Sequence, residues 1–322
     1  MRKVFGLLGL LTALVVLTSL WEWQTGDGRI SFLTTANLRN LMTWVGLFGV
    51  LSLGQAIVII IGGIDLSVGS VAALIGISAA IMMNRGEGMH PAIVIPICLL
   101  LGAVIGLWHG FLVAKVRLQP FVVTLCGLFF FRGIARLITG DQSQGFGTSY
   151  SGLRWFGNGF VFDVIPAPFL VLTVLAIVIG AYLHFSPHGR HLFAIGANED
   201  GARFSGIRTD RLKIAAYVLC SLLTAVGGLL LAFKINSLGP SDFGSFYELY
   251  AIAGAVLGGC SLRGGSGNVL GVLIGASLIV LLKNLVNILE IPSQLEYVVI
   301  GGAILIGVSV DELFSRRRAA RA

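Results

Sequence analysis

The run from Leu41 to Ile64 contains no Asp, Glu, Lys or Arg, and the same is true of Leu66 to Asn84, Pro91 to Ala114, Val164 to Ser186 and Ile214 to Phe233. A hydrocarbon core of about 30 Å is crossed by roughly 20 helical residues, so each run has the length and apolarity of a span. A chain built this way folds with lipid as its solvent. Composition agrees, since only 11% of the residues are charged and the mean hydropathy is +0.92, against about 25% charged residues in soluble domains.

Apolar runs place spans near residues 4 to 20, 41 to 61, 67 to 84, 92 to 114, 120 to 139, 164 to 184, 214 to 234, 248 to 262, 267 to 282 and 295 to 313. The expected fold is therefore an all-α integral membrane protein of about ten transmembrane helices, forming one transmembrane domain over residues 1–322. Trp21-Glu22-Trp23 follows the first run where a secretory signal would carry small residues, so that run reads as an uncleaved span. Leu249 to Leu262 covers only about 21 Å, which makes the eighth span the shortest and calls for Phe243 to Glu248, or a re-entrant path, to complete it.

Charge sets the expected topology. With both termini cytoplasmic, fourteen basic residues (Arg2, Lys3, Lys115, Arg117, Arg190, Arg203, Arg208, Arg211, Lys213, Arg263, Arg316, Arg317, Arg318 and Arg321) fall inside, against six (Arg29, Arg39, Arg85, Arg154, Lys234 and Lys283) outside. That is the sense of the positive-inside rule. The net charge of +7 then reflects loops and tails facing an anionic leaflet and lipid, not nucleic acid. Arg132 and Arg136, one turn apart in the fifth run, either face a pathway or snorkel to the interface.

Two apolar stretches are interrupted in the same way. Gly62-Gly63-Ile64-Asp65-Leu66-Ser67-Val68-Gly69-Ser70 and Gly258-Gly259-Cys260-Ser261-Leu262-Arg263-Gly264-Gly265-Ser266 both read G-G-x-x-L-x-x-G-S. They suggest Gly-interrupted helices and an internal repeat, and such paired interruptions mark the pathway of many transporters. Gly62, Gly63, Gly69, Gly258, Gly259 and Gly265 are the candidate break residues. Asp65 is the only charge in some forty residues; it is either functional or a cap for the helix expected from Leu66. Gln55, Asp65, Ser67, Gln119 and Thr124 offer hydrogen bonds to a polar cargo, or else satisfy neighbouring backbone.

Several chemistries are excluded. No G-x-x-x-x-G-K-[ST] occurs, so the chain has no P-loop with which to hydrolyse ATP. H-E-x-x-H and G-x-S-x-G are absent, and His109 is the only histidine deep in a span. Cys98, Cys126, Cys220 and Cys260 lie in apolar runs without CxxC spacing and read as small buried thiols. No catalytic residue, metal site or cofactor is expected, and any energy source is external.

Gly63 to Ser70, then Gln119-Pro120-Phe121-Val122-Val123-Thr124-Leu125, then Arg132-Gly133 resemble, in order and spacing, the ribose/xylose-type permeases of ABC monosaccharide importers. Gly189-Arg190, Ala194 to Asn198, Ala202-Arg203 and Ser205-Gly206-Ile207 are similar to that family's cytoplasmic loop, and Tyr247-Glu248, Ala251 to Ala253 and Gly258 to Gly267 to its C-terminal signature. The resemblance covers roughly residues 35 to 312. It implies a multi-pass subunit of the cell inner membrane, paired with a second permease copy or a related permease, two ATPase subunits at the cytoplasmic face and a periplasmic or extracellular sugar-binding protein. It also implies that the loop 185–213 couples to the ATPase through Gly189, Arg190, Gly196, Asn198, Ala202, Arg203 and Gly206. Without the resemblance that loop reads as a charged connector with a short helix, Asn198 capping Glu199 to Phe204. A permease for a non-sugar solute, a self-sufficient facilitator and a membrane scaffold are the competing readings.

Overall fold

A computed structural model describes residues 2–25, 31–84, 88–147, 150–302 and 305. The helices, in chain order, are α1 (Arg2–Thr25), α2 (Thr35–Ile60), α3 (Val68–Asn84), α4 (Pro91–Ala114), α5 (Pro120–Thr139), α6 (Arg154–Asn158), α7 (Ala167–Phe185), α8 (Pro187–Ala197), α9 (Glu199–Phe204), α10 (Thr209–Ile235), α11 (Tyr247–Leu257) and α12 (Val269–Ile288). A two-stranded antiparallel ribbon joins β1 (Phe160–Val161) to β2 (Ile165–Pro166) between α6 and α7.

Seven of these helices are long and apolar enough to cross a membrane: α1, α2, α4, α5, α7, α10 and α12. The shorter apolar helices α3 and α11 have 17 and 11 residues. At about 1.5 Å per residue α11 extends only about 16 Å, so the eighth run is not a full-length helix; it stops at Leu257 because Gly258 and Gly259 turn the chain. The tenth run lies mostly beyond the described residues, as do Arg29, Arg85 and the Arg316 to Arg318 tail.

Helix α2 is the axis of the bundle. Every residue from Val45 to Ile60 is buried, as expected of a helix that is apolar on all sides. Helices α10, α11, α12 and α7 pack around it, and α3 packs on α10 and α5, whereas α1 exposes Leu17, Leu20 and Trp23. Close approach depends on small residues: Gly102, Gly106 and Gly110 recur every fourth position along α4, and a Cβ on them would lie 2.8 Å from Ala225, 2.6 Å from Val218 and 2.7 Å from Ile214 of α10. Packing of this kind replaces the hydrophobic effect, which is missing between helices in lipid.

The connections gather at two ends. At one, Lys115 pairs with Asp210 at 2.9 Å, the Gly265 amide donates to the Ile60 carbonyl at 2.9 Å and α8 and α9 cover the surface. At the other, Gln144 and Leu238 exchange backbone hydrogen bonds at 3.0 and 2.7 Å, and Asn84 donates to the Gly145 carbonyl at 3.0 Å. Segments 115–119, 186–209 and 258–268 therefore share an end, opposite 140–147 and 236–238.

Two sequence expectations change. Arg132 neither reaches outward nor stands free: it donates to the carbonyls of Pro240, at 3.0 Å, and Phe243, at 2.5 Å, because that loop leaves carbonyls turned inward beside α5. Arg136 pairs with Asp141 outside the helix at 2.6 Å, which holds the Asp141 carboxyl below its usual range. Cys98, Cys220 and Cys260 are buried, but Cys126 is exposed, since it lies on the outward face of α5 with Phe129 and Phe130.

Candidate functional site

Both interruptions end their helix with the same hydrogen-bonded turn. After α2, Gly62 adopts φ +80°, its amide donates to Ile59 and the Gly63 amide to Val58, each at 2.9 Å. After α11, Gly259 adopts φ +95°, its amide donates to Val256 at 2.9 Å and the Cys260 amide to Ala255 at 3.0 Å. This is the Schellman arrangement, which satisfies the last carbonyls of a helix and favours glycine at the left-handed position. The structural equivalence pairs Gly62 with Gly259, one residue out of the G-G-x-x-L-x-x-G-S register, so the second break turns one residue later in its motif.

Polar side chains then occupy the gap between α2 and α3. Asp65 Oδ1 accepts from the Ser67 amide at 2.8 Å and from the Ser67 hydroxyl at 2.6 Å. This closes a local turn just before the helix, which begins at Val68 and not at Leu66, because Ser67 and Leu66 are held in that turn. The Gln55 amide, oriented to satisfy both groups, donates to the Asp65 carbonyl and accepts from the Asp65 amide, each at 3.1 Å. Thr124 on α5 donates to the Ile64 carbonyl at 3.1 Å. Gln55, Asp65, Ser67 and Thr124 are all at most 1% exposed.

Four of the five expected polar residues therefore meet at one point, held against broken backbone that lipid could not satisfy. Gln119 does not join them; it is exposed and precedes α5 without a side-chain cap. Three groups that the sequence did not connect to Asp65 also converge there. His109 of α4 places Nδ1 3.9 Å from Asp65 Oδ2, and Cys220 of α10 places Sγ 4.0 Å from it. The Tyr217 hydroxyl, also on α10, lies 2.7 Å from where a Cβ on Gly63 would stand. Spacing along the chain carries no sign of these partners, which come from helices 44 to 155 positions away.

The other break residues mark close approaches. Gly69 packs against Gly244 and the Glu248 carboxylate, Gly258 would place a Cβ 2.5 Å from the Gly271 carbonyl, and Gly265 has φ +75° beside Ala197. The loop 185–213 sits directly on both breaks. Gly196, at the end of α8, abuts the Ile60 carbonyl and the Gly265 amide, and a Cβ on Gly264 would lie 2.7 Å from the Gly196 carbonyl and 2.9 Å from the Gly62 amide.

Within the loop, Gly189 packs against the carbonyls of Tyr182 and Leu183, and Arg190 is exposed. Asn198 caps α9 by accepting from the Gly201 amide at 2.9 Å, and Ala202 is buried. Arg203 donates to Glu199 at 3.3 Å and to Asp210 at 3.2 Å, Lys213 pairs with Glu199, and Gly206 turns the chain at φ +82°. The loop is a cross-braced unit of two helices. Phe204, 92% exposed, projects from it.

Residues 37–308 match the profile of a protein family described as branched-chain amino acid transport system / permease component. The chain is 38% identical over 312 residues to the ribose import permease protein RbsC of Bacillus subtilis, covering 97% of this chain and 93% of that one. It is 36% identical over 283 residues to RbsC of Escherichia coli K12, covering 87% of each. It is 33% identical over 361 residues to the xylose transport system permease protein XylH of Haemophilus influenzae, covering 94% of this chain and 95% of that one. No solved structure matches it.

Proposed function

From the premise that this chain belongs to the family described as the branched-chain amino acid transport system permease component, we infer that it is the membrane-spanning permease subunit of an ATP-driven importer carrying a monosaccharide of the ribose or xylose type. The observation that carries the cargo class is likeness along nearly the whole chain to permeases named for ribose and for xylose. In this reading the subunit lies in the cell inner membrane with the 185–213 end cytoplasmic. It pairs with a second permease copy and works with separate ATPase subunits and an extracytoplasmic sugar-binding protein.

Energy enters through the loop. An ATPase docked on α8 and α9 moves a braced element as a rigid body. Gly196 and Gly264 touch the end of α2 and the turn after α11, so that motion bears on both helix breaks at once. Nucleotide shifts the permease between conformations only through a difference in ATPase affinity for them. The polar groups at the first break, Gln55, Asp65, Ser67 and Thr124, border the pathway and keep the interrupted backbone satisfied as the break moves, while Gln119 stands at the pathway's cytoplasmic entrance.

The test is uptake by proteoliposomes holding this permease with the ATPase and binding protein of its importer. Labelled ribose or xylose accumulates with ATP and with loaded binding protein, and not with the permease alone. Accumulation of leucine in place of either pentose would replace the cargo class and keep the importer. Pentose uptake by the permease alone would make the chain a facilitator.

A further inference from the structure

Ser67 occupies one oxygen of Asp65, and the other faces a cluster that import as derived above does not use. Oδ2 looks toward His109 Nδ1 at 3.9 Å and Cys220 Sγ at 4.0 Å. His109 is 1% exposed and Tyr217 0%, yet His109 Nδ1 and the Tyr217 hydroxyl have no hydrogen-bond partner among the described residues. An unpartnered buried polar atom is costly. Two of them beside a buried carboxylate form a prepared site.

The elements around it limit the ligand. From α4 the titratable group is His109, from α10 they are Tyr217 and Cys220, and from the break it is Asp65. On its α5 side the imidazole meets Gly127 and the edge of Phe131, with ring centroids 5.6 Å apart. Asp65 also acts on the Glu248 carboxylate of α11, which Arg132 offsets. One negative charge thus faces one imidazole in an apolar surrounding. No group of three His, Cys, Asp or Glu side chains among the described residues is arranged to hold a metal ion.

We propose that Asp65 and His109 form a proton-binding site that joins α4 to the α2–α3 break. The neutral imidazole carries its hydrogen on Nε2. On uptake of one proton from water, Nδ1 gains an N–H that donates to Asp65 Oδ2, and the pair goes from one net negative charge to none. A charge-assisted N–H···O bond spans about 2.7–2.9 Å, so occupancy draws α4 and the break together by about 1 Å. The glycine stripe of α4 against α10 carries Tyr217 along, because both helices are locked at Gly106 and Gly110. Protonation thereby sets the position of the break that the loop 185–213 touches, and the rate of the permease responds to proton concentration independently of ATP. A lone imidazolium would be expensive to bury, which ties proton uptake to Asp65.

The test uses the whole chain in lipid nanodiscs, labelled at histidine and followed by NMR between about pH 5 and 9, the range in which histidine titrates. Replacing His90, His184, His188 and His191 by Gln leaves His109 as the single signal among the five histidines without touching the site. The expected result is a protonation step at His109 in this range, with proton affinity at least about tenfold lower in Asp65→Asn, the loss of a nearby opposite charge. A signal that does not titrate overturns the proposal with Asp65 intact, so it stands or falls even if Asp65→Asn fails to insert. Affinity in Asp65→Asn within about threefold of the parent, too small a change for a lost charge at this distance, also overturns it. The consequence for transport rests on the import reading: with one preparation of ATPase and binding protein, His109→Gln should flatten the pH profile of uptake. A profile superimposable on the parent overturns the control of rate. Absence of uptake by the parent would instead count against the import reading, and the NMR titration would still decide whether the proton site exists.

Discussion

The two breaks solve one backbone problem and fill the resulting gap differently. Both close with a glycine at positive φ and the same pair of hydrogen bonds, and both follow with a side chain accepting from an amide two residues ahead: Asp65 from Ser67 at 2.8 Å, and Ser261 from Arg263 at 3.2 Å. After α2 the gap is buried and filled with side chains from α2, α4, α5 and α10. After α11 it is closed by backbone against backbone, with Gly258 on Gly271 and Gly264 on Gly196, and Arg263 stays exposed. The motif therefore specifies how a helix stops inside a bundle. What surrounds the stop decides whether it becomes a polar site or a packing joint.

Bulk should separate the two most sharply. In Gly258→Leu the new side chain meets backbone of α12, at 2.5 Å from the Gly271 carbonyl and 2.6 Å from the Val272 Cα, and neither can yield. A cost of about 3 kcal/mol or more is expected, at the top of the range for overpacking, with little folded protein recovered in detergent. Gly63→Leu meets the Tyr217 hydroxyl at 2.7 Å and a Val58 methyl at 3.0 Å, side-chain atoms that can move, and should cost about 1–3 kcal/mol. Equal thermal shifts in the two variants, or none, would erase the distinction between packing joint and polar site.

Charge comes next. Asp65→Ala strips both bonds from Ser67 in a buried setting and should cost about 1–3 kcal/mol, with uptake lost; Asp65→Asn keeps an acceptor for Ser67, so uptake at the wild-type level in it would show that the charge is dispensable and the turn sufficient. Ser261→Ala, the matching change in the solvated turn, should cost under about 0.5 kcal/mol. The shared backbone device predicts parity elsewhere. Gly62→Ala and Gly259→Ala should each cost about 1–2 kcal/mol, the penalty of a left-handed conformation for a residue with a Cβ, and unequal melting shifts would break the equivalence of the two turns.

The smallest effect on stability falls on the loop that spans both breaks. Arg203 is 41% exposed in its pairs with Glu199 and Asp210, so Arg203→Glu should change stability by about 0–1 kcal/mol. Co-purification of the ATPase and its stimulation by loaded binding protein should nonetheless fall, because a docked surface depends on complementary charge and anchors. Full retention and full stimulation in Arg203→Glu and in Gly206→Trp would make the loop a connector only.

What could be read along the chain was whatever depends on neighbours in sequence. Apolar runs located α4, α5 and α7 closely and α2, α10 and α12 with one end displaced by about a turn and a half, Asn198 was recognisable as the cap of α9, and the paired glycines announced that two helices stop early. The Gly102, Gly106 and Gly110 stripe was also legible as a repeat of four, although only contact with α10 gives it a partner. Asp65 stood out as the lone carboxylate of its region. That Gln55 would serve its backbone and Thr124 the Ile64 carbonyl, that His109 and Cys220 would face its second oxygen with Tyr217 beside Gly63, and that Gln119 would remain outside were decided by the tertiary structure. The physical reason is that hydropathy and helix period are properties of a single segment, whereas in lipid the choice of neighbour depends on how closely small residues let two backbones approach. That fit belongs to pairs of surfaces, so even a glycine repeat in one sequence does not name its partner.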